Sequence, residues 1–349
     1  MIKVGIIGFA HGHVFQFAGA WLKEPEKFGV LPVCAWDYDE KRLADSLKNL
    51  PGVSACASLE ELLAADISAV VITCETGYHC EMVEKAAAAG KDIILYKPMA
   101  ITLKEADRIV EAVNANHVRF SMGWQMRCDA QNIRMKQLID SGEMGKVCQF
   151  RRRHGLSTHL WNDFEHTWHN NPLLNRDIFA DDSAHPINYM QWLFGMPETV
   201  MCELSTMVNP NVPNDSGVAL FKYSNGLIAE ISCCFTTVSA EITTEIYFEN
   251  GAVQQYYGDA PSAAVLHQNG LRLFKTGDAG WSDSGIPSAC AQWERLRDQA
   301  APLADFLKGG APVCSAEEGR DSLRLVLACF LSAREGKRVS VWDERIYEI

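Results

Sequence analysis

Short apolar segments alternate with amphipathic stretches through the first third of the chain. The apolar segments predict buried strands, because a strand covered on both faces needs no alternating polar positions. These strands are Ile2–Gly8, Leu31–Trp36, Ala69–Thr73, Asp92–Leu95 and Val118–Met122. Between them, apolar residues at helical spacing predict helices at Val14–Lys23, Glu40–Leu47, Ser58–Ala64, Gly77–Ala89 and Leu103–Ala115. Strands that alternate with helices favour a parallel sheet with right-handed crossovers. We therefore predict an N-terminal Rossmann domain with a doubly wound parallel sheet over residues 1–122.

After Gly123 the pattern changes to longer strand-like segments. A helix is predicted at Ala130–Ser141, followed by strands at Lys146–Arg153, Glu198–Val208, Gly217–Tyr223, Leu227–Phe235, Glu241–Glu249 and Gly251–Tyr257. Asn225-Gly226 and Asn250-Gly251 are typical of hairpin turns between neighbouring strands. Helices at Gln292–Leu307 and Ala316–Arg334 are expected to cover the resulting sheet. The prediction for residues 123–349 is an α+β domain with a large, mostly antiparallel open sheet.

Composition narrows the class of protein. The 349 residues are 48% hydrophobic and 22% charged, a balance typical of a folded globular chain rather than a disordered one. The formal net charge of −12 opposes binding to nucleic acid. The sequence has no stretch of about 18 apolar residues to span a bilayer. Its twelve cysteines are dispersed, as is typical of buried thiols in a reducing compartment. We expect a cytoplasmic protein with neither a nucleic-acid nor a membrane partner.

A glycine-containing loop follows the first predicted strand and precedes the first predicted helix. It comprises Gly8, Phe9, Ala10, His11, Gly12 and His13. Backbone N–H groups at the start of such a helix bind the pyrophosphate of a dinucleotide. Ala10 and His13 replace two glycines of the G-x-G-x-x-G pattern, so a strand–turn–helix that binds no ligand is the alternative.

Asp37 ends the second predicted strand, where a carboxylate accepts hydrogen bonds from the adenosine ribose of a dinucleotide and opposes a 2′-phosphate. Capping of the next helix is the alternative role, for which Asp39 is better placed. Lys41 and Arg42 lie in that helix, and either could reach back and partly neutralise a 2′-phosphate, but charges at such positions commonly face solvent, so Asp37 decides the expectation. We therefore expect NAD as the cofactor, preferred over NADP by at least about tenfold in dissociation constant.

Several motifs, taken in order, resemble the Gfo/Idh/MocA family of oxidoreductases. Thr73-Cys-Glu-Thr-Gly-Tyr-His79 and Gly90-Lys-Asp-Ile-Ile-Leu-Tyr-Lys97-Pro98 each follow or close a predicted strand. Trp168-His-Asn-Asn-Pro172 and Asp181-Asp-Ser-Ala-His185 resemble the signature of the family's substrate domain. Three positions depart from the family pattern: Tyr96 replaces a glutamate, Ser183 a glycine and Asn188 an aspartate. The resemblance implies NAD or NADP in the cleft, with Thr73, His79 and Lys97 at the cofactor.

Lys97 and His185 are the candidate catalytic residues. Lys97 closes a strand at the edge where open α/β sheets bind ligands, so its ammonium group can donate to a substrate oxygen. His185 is the candidate general base, because imidazole titrates near pH ~6.5 and can accept the proton of an alcohol. Asp181 lies one helical turn before His185 and can orient its ring. Helix capping by Asp182 or Ser183 ahead of Pro186 is a compatible alternative role.

A segment rich in histidine and tryptophan precedes His185. Aromatic and neutral polar side chains together suit a polyhydroxylated ring, which offers both hydroxyls and apolar C–H faces. The candidate substrate-binding residues are Lys97, Gln125, Arg127, His154, Trp168, His169, Asp182 and His185. Histidine and aspartate also bind metals, but their spacing matches no compact metal motif, so we expect no metal.

Arg151, Arg152 and Arg153 lie in a predicted strand, so Arg152 should face away from the other two. A solvated face or a subunit contact is favoured over a clamp for an acidic sugar.

These features favour an NAD(P)-dependent oxidoreductase that oxidises a secondary hydroxyl of a sugar, cyclic polyol or glycoside. One alternative is an enzyme that keeps NAD bound and uses transient oxidation for glycoside cleavage or epimerisation, which would form no net NADH. A non-catalytic dinucleotide-binding sensor is the other. The resemblance also implies a homodimer or homotetramer formed through the C-terminal sheet.

Overall fold

A computed structural model describes residues 1–238, 242–256, 270–287, 289 and 291–349, which form two compact units. The first unit contains Met1–Gln125, Leu173–Asn175 and Trp293–Leu323. The second contains Met126–Pro172, Arg176–Gln292 and Arg324–Ile349. The chain therefore returns to the first unit twice after residue 125. The predicted division into residues 1–122 and 123–349 did not include these two returning segments. Within the described residues, no helix is both long and apolar enough to cross a membrane.

The first unit is built on a six-stranded parallel sheet. Its strands are β1 (Ile2–Ile7), β2 (Val30–Trp36), β3 (Ser54–Ala55), β4 (Ala69–Ile72), β5 (Asp92–Tyr96) and β6 (Phe120–Gly123). Its first helices are α1 (Val14–Lys23), α2 (Pro25–Phe28), α3 (Glu40–Leu47), α4 (Leu59–Ala64), α5 (His79–Ala88) and α6 (Leu103–Ala115). The strand order β3-β2-β1-β4-β5-β6 confirms the doubly wound Rossmann prediction. Because the order reverses between β1 and β4, their carboxyl ends form the edge where such sheets bind ligands.

The second unit is built on a nine-stranded sheet. Its elements begin with α7 (Ala130–Ser141), β7 (Val147–Gly155), α8 (Ile178–Asp182), α9 (Ala184–Phe194), β8 (Thr199–Ser205), β9 (Ser216–Lys222) and β10 (Ile228–Cys234). They continue with β11 (Thr243–Phe248), β12 (Gly251–Tyr256), β13 (Leu271–Lys275) and β14 (Ser282–Asp283). The last elements of the chain are α10 (Gln292–Asp298), α11 (Ala300–Leu307), α12 (Ala316–Glu335) and β15 (Val339–Ser340).

Strand pairing in the second sheet is antiparallel except between β7 and β10. The order β14-β13-β12-β11-β7-β10-β9-β8-β15 confirms a large, mostly antiparallel sheet. The first residue of one predicted strand, Glu241, and the last residue of another, Tyr257, lie outside the described residues. Neither β13 nor β14 was predicted.

The arginine run in β7 follows the two-residue period of a strand. Arg151 and Arg153 are exposed, whereas Arg152 is buried, as predicted. The Nη1 of Arg152 donates to the Oγ1 of Thr244 at 2.6 Å, and its guanidinium lies 4.9 Å from the ring centre of Tyr189. The Nε of Arg151 lies 3.2 Å from a carboxylate oxygen of Glu230 on the exposed face. Arg152 is therefore a core residue of the second unit.

The late helix at 292–307 differs from the prediction. The chain breaks it into α10 and α11, and α11 packs into the core of the first unit rather than onto the second sheet. Leu303 and Phe306 of α11 are buried with Phe17 and Trp21 of α1. The indole Nε1 of Trp21 donates to the carbonyl of Ala300 at 2.8 Å. The prediction was wrong for α11 because an apolar helix face does not show which of two sheets it covers.

Candidate active site

The loop after β1 is held by contacts with the end of β4. Gly8 has a φ of +79°, and a Cβ at this position would lie 2.5 Å from the Cβ of Cys74, so only glycine fits. The Oγ1 of Thr73 donates to the carbonyl of Gly8 at 2.6 Å, and the N–H of His11 donates to the carbonyl of Thr73 at 2.9 Å. Gly12 has an ordinary φ and room for a Cβ. The structure thus brings Gly8, His11 and Thr73 together.

Tyr96, which replaces the family's glutamate, is completely buried beside the same loop. Its Oη lies 2.9 Å from the Nδ1 of His13 and accepts a 3.2 Å hydrogen bond from the Nε2 of Gln299. The ring of His11 packs edge-on against Tyr96 with 4.6 Å between ring centres. Both loop histidines therefore contact Tyr96, which connects them to the residue between α10 and α11.

Asp37 lies beside the loop, as its position at the end of β2 predicts. Its Oδ2 accepts a 2.8 Å hydrogen bond from the N–H of Phe9, and Ala10 is half-buried next along the loop. Asp39, rather than Asp37, caps α3. The expectation that Arg42 faces solvent is wrong, because its guanidinium donates to both oxygens of Asp37 at 2.7 Å. A buried carboxylate is stable only when paired, and the ion pair with Arg42 meets this requirement.

Lys97 directly follows β5, and His79 is the first residue of α5. Lys97 is 3% exposed and joined to Pro98 by a cis peptide bond. The Nδ1 of His79 lies 2.8 Å from the carbonyl oxygen of Pro98, and its Nε2 lies 3.1 Å from that of Cys74. Complete burial lowers the pKa of His79, against the opposing effect of these carbonyls. His79 therefore connects the segments that follow β4 and β5.

A cavity of about 460 Å³ opens at the carboxyl ends of β1, β2 and β4. Its volume lies within the roughly 300–1,000 Å³ range of small-molecule and cofactor sites. The aromatic and apolar part of its wall suits an adenine ring, and Gly8 places the start of the loop on the same wall. These residues fit a dinucleotide at the place where the fold predicts it. The aromatic and apolar lining residues are Trp36, Tyr38, Leu59, Cys74, Tyr78 and Met82.

Two histidine–aspartate contacts mark the predicted substrate site of the second unit. The Nδ1 of His169 lies 2.8 Å from a carboxylate oxygen of Asp181, which is 2% exposed. The Nε2 of His154 lies 3.7 Å from Asp182, and its ring centre lies 6.2 Å from that of His185. The four-residue spacing predicted His185 as the partner of Asp181, but it did not indicate His169. The arrangement gathers imidazoles and carboxylates that can exchange protons.

The remaining predicted substrate residues divide between the two units. Gln125 is buried in the first unit. In the second, the Nε of Arg127 donates to the Oδ1 of Asn188 at 2.9 Å. The ring of Trp168 stacks on His169 with 4.0 Å between centres. Asn188, noted as a departure from the family pattern, therefore positions a predicted substrate residue.

Sequence reasoning did not assign roles to Glu75 and Gln299. Glu75 accepts a 2.7 Å hydrogen bond from the Nη1 of Arg42, although 33 positions separate them. Its signal was a carboxylate within three residues of the end of a buried strand, where an acidic group needs a partner. Gln299 carried no signal, because its site depends on the return of the chain to the first unit. In the part of the chain that the structure describes, no group of three or more His, Cys, Asp or Glu residues could hold a metal ion.

Comparisons with known proteins agree with this architecture. Residues 2–124 match the oxidoreductase family with an NAD-binding Rossmann fold, and residues 133–254 match the Gfo/Idh/MocA C-terminal domain. An uncharacterized oxidoreductase of Schizosaccharomyces pombe is 29% identical over 160 residues, which are 44% of this chain and 42% of that protein. The match thus spans less than half the length of that relative.

A second relative and a solved structure match more of the chain. Inositol 2-dehydrogenase of Mycolicibacterium gilvum is 25% identical over 278 residues, 76% of this chain and 72% of that protein. A structure of levoglucosan dehydrogenase in complex with NADH and levoglucosan shares the fold with a TM-score of 0.84 at 19% identity. That similarity covers 98% of this chain and all of the other. The chain belongs to the Gfo/Idh/MocA family of oxidoreductases, and its N-terminal part is that family's NAD-binding Rossmann domain.

Proposed function

We propose that this protein oxidises a secondary hydroxyl of a sugar, cyclic polyol or glycoside, with Lys97 and His185 handling the hydroxyl proton. NAD, when bound, supplies the acceptor for the hydride. The observation that carries the proposal is the pair of imidazole–carboxylate contacts in the second unit: His169 lies 2.8 Å from the buried Asp181, and the buried His154 lies 3.7 Å from Asp182. The relatives named for inositol and levoglucosan act on polyhydroxylated rings, which supports the same class of substrate here.

The proposed roles follow from the chemistry of each side chain. His185 is 3% exposed and lies on the first turn of α9, where it is suited to accept a proton from a substrate hydroxyl. Lys97 carries three N–H donors directly after β5, which can donate to a substrate oxygen. Asp181 and His169 form an acid–base pair in the same unit as His185, and we assign it to holding the substrate ring in place. Arg127, His154, Trp168 and Asp182 are the further proposed substrate contacts.

The test is NADH formation across a panel of cyclic polyols, monosaccharides and glycosides. Lys97→Ala should lower kcat by at least about a hundredfold, because a positioned proton-transfer group contributes roughly 10²–10⁴ in rate. Lys104→Ala is the matched control, since Lys104 is an exposed lysine of the same unit and its loss should leave kcat unchanged. Full activity in Lys97→Ala would exclude the lysine from the mechanism. Product formation without net NADH would favour an enzyme that recycles its own cofactor.

A further inference from the structure

Three charged side chains, Asp37, Arg42 and Glu75, form a buried group beside the cofactor loop, here called the Arg42 cluster. Asp37 and Glu75 are each 2% exposed, and the Arg42 side chain is 23% exposed. The Nη1 of Arg42 donates to Glu75 at 2.7 Å, while its Nε and Nη2 each donate to Asp37 at 2.7 Å. The hydroxyl of Tyr38 also donates to Glu75. The cluster therefore holds one guanidinium between two buried carboxylates.

The carboxylate of Asp37 is fully occupied. Besides the two bonds from Arg42, its Oδ2 accepts from the N–H of Phe9 at 2.8 Å, and its Oδ1 accepts from the N–H of Asp39 at 3.0 Å. Two hydrogen bonds on each oxygen use about all four acceptor sites of a carboxylate. The adenosine ribose of a cofactor therefore meets Asp37 together with Arg42, not a carboxylate alone.

The charge and position of Glu75 affect whether Arg42 can bind the 2′-phosphate of NADP. A guanidinium is the side chain best suited to a bidentate contact with phosphate, so Arg42 is the group that would bind the 2′-phosphate of NADP. To do so it would have to leave two carboxylates in a buried site, and both would then face the phosphate. With Glu75 present, the cluster carries a net charge of −1 and Arg42 has a second partner opposite Asp37.

We propose that Glu75 is a positioning residue for cofactor choice: by holding Arg42, it keeps the guanidinium from a 2′-phosphate and so favours NAD over NADP. This inference rests on the dinucleotide binding that the proposed function requires. Sequence reasoning assigned the choice of cofactor to Asp37. The cluster assigns it to Glu75 as well, through a contact between the end of β4 and the first turn of α3.

The first test compares dissociation constants for NAD and NADP by calorimetry at about 0.15 M salt, without substrate. The unmodified protein should prefer NAD by at least about tenfold. Glu75→Gln should reduce that ratio by about tenfold, equal to 1.4 kcal/mol, through tighter NADP binding, with the NAD constant within about threefold. Glu111→Gln is the matched control, because Glu111 is an exposed glutamate on α6 of the same unit and does not line the cavity. Its ratio should not change, and an equal change in both variants would refute the proposal.

The second test asks whether the gain depends on Arg42. In a double-variant cycle, Glu75→Gln combined with Arg42→Met should lose the tighter NADP binding seen in Glu75→Gln alone. A gain that persists without Arg42 would show that charge removal suffices, which overturns the positioning role. General damage to the fold would weaken both dinucleotides together and leave their ratio unchanged, so the ratio separates the two causes.

Glu75→Asp provides the conservative variant if Glu75→Gln does not fold. It keeps the charge but shortens the side chain, so its NADP to NAD ratio should lie between those of the unmodified protein and Glu75→Gln. A ratio identical to that of the unmodified protein in both variants would reject the inference. If neither dinucleotide binds the unmodified protein, the proposed function itself is refuted.

Discussion

Asp177 is a buried carboxyl group that holds the start of α8. One oxygen accepts a 2.8 Å hydrogen bond from the N–H of Ala180, and the other accepts one of 2.6 Å from the amide of Asn214. Burial raises the pKa of Asp177 from its ordinary 3.8 to about 6, against the opposing effect of these bonds. Because the folded protein binds this proton more tightly than the unfolded chain, the contribution of Asp177 to stability is fully present below pH ~4. It decreases as the pH rises through about 6.

This shift predicts a pH-dependent effect of Asp177→Asn. Asparagine keeps an acceptor for Ala180 but cannot ionise, so the variant should gain stability relative to the unmodified protein between pH 4 and 7. A shift of about two pKa units corresponds to roughly 3 kcal/mol. Thermal unfolding of both proteins at intervals across this range measures the difference. Parallel curves with a constant offset would show that Asp177 does not titrate in this window.

At the same scale, the sequence could predict which residue types lie at the site but not their partners. Asp37 was predicted because it follows a strand at a ligand-binding edge, and Asp181 because it lies one helical turn before His185. Their observed partners, Arg42 and His169, depend on how loops fold back onto those elements. Local spacing carries information about contacts within about one helical turn or one strand pair. The contact of Arg42 with Glu75 connects segments much farther apart, so spacing alone could not reveal it.

Helix α6 shows how a short motif defines an element. Thr102 accepts a 3.3 Å hydrogen bond from the N–H of Glu105, and the carboxylate of Glu105 accepts one of 2.9 Å from the N–H of Thr102. This reciprocal pair is a capping box, which satisfies N–H groups that the helix cannot pair internally. The predicted helix Leu103–Ala115 has the observed bounds of α6.

Thr102→Ala should therefore destabilise the first unit by about 1 kcal/mol, the usual effect of removing an N-cap hydroxyl. Thr102→Ser is the matched control, because serine keeps the hydroxyl and should cost only a fraction of this. The thermal midpoints of the two variants provide the comparison. Equal losses in both would assign the effect to the methyl group of Thr102 rather than to the cap.

Element positions were predictable wherever the hydrophobic period was regular, as in β1, β4 and α1. The sequence could not predict which sheet α11 covers, because the pattern of apolar residues in a helix does not distinguish one sheet from the other. The short strands β3 and β14 were also missed, since two residues are too few to show a period.

One face of the second sheet presents apolar side chains to solvent. Val218 and Leu220 on β9, Ile228 on β10 and Tyr247 on β11 are between 36% and 48% exposed. Strand alternation places them on the same face as the ion pair between Arg151 and Glu230. Exposed apolar side chains clustered on one face are typical of a subunit contact, so the predicted homodimer or homotetramer remains our expectation.

Light scattering at micromolar concentration should give a mass that is a multiple of 38.8 kDa. Leu220→Glu combined with Ile228→Glu should lower that mass toward the monomer, because the added charges would be buried in the contact. Met207→Glu is a matched control, since Met207 is 68% exposed but lies outside the strands. A mass near 38.8 kDa for the unmodified protein would contradict the prediction.

The return of residues 293–323 to the first unit has a consequence for how the chain is made. During synthesis the N-terminal Rossmann strands leave the ribosome first, but Leu303 and Phe306, which complete the core around Trp21, follow only after the second sheet has been translated. At ~5–20 residues per second, the nascent chain would expose this apolar surface for on the order of ten seconds. The core of the first unit can therefore be completed only after nearly the whole polypeptide has been translated.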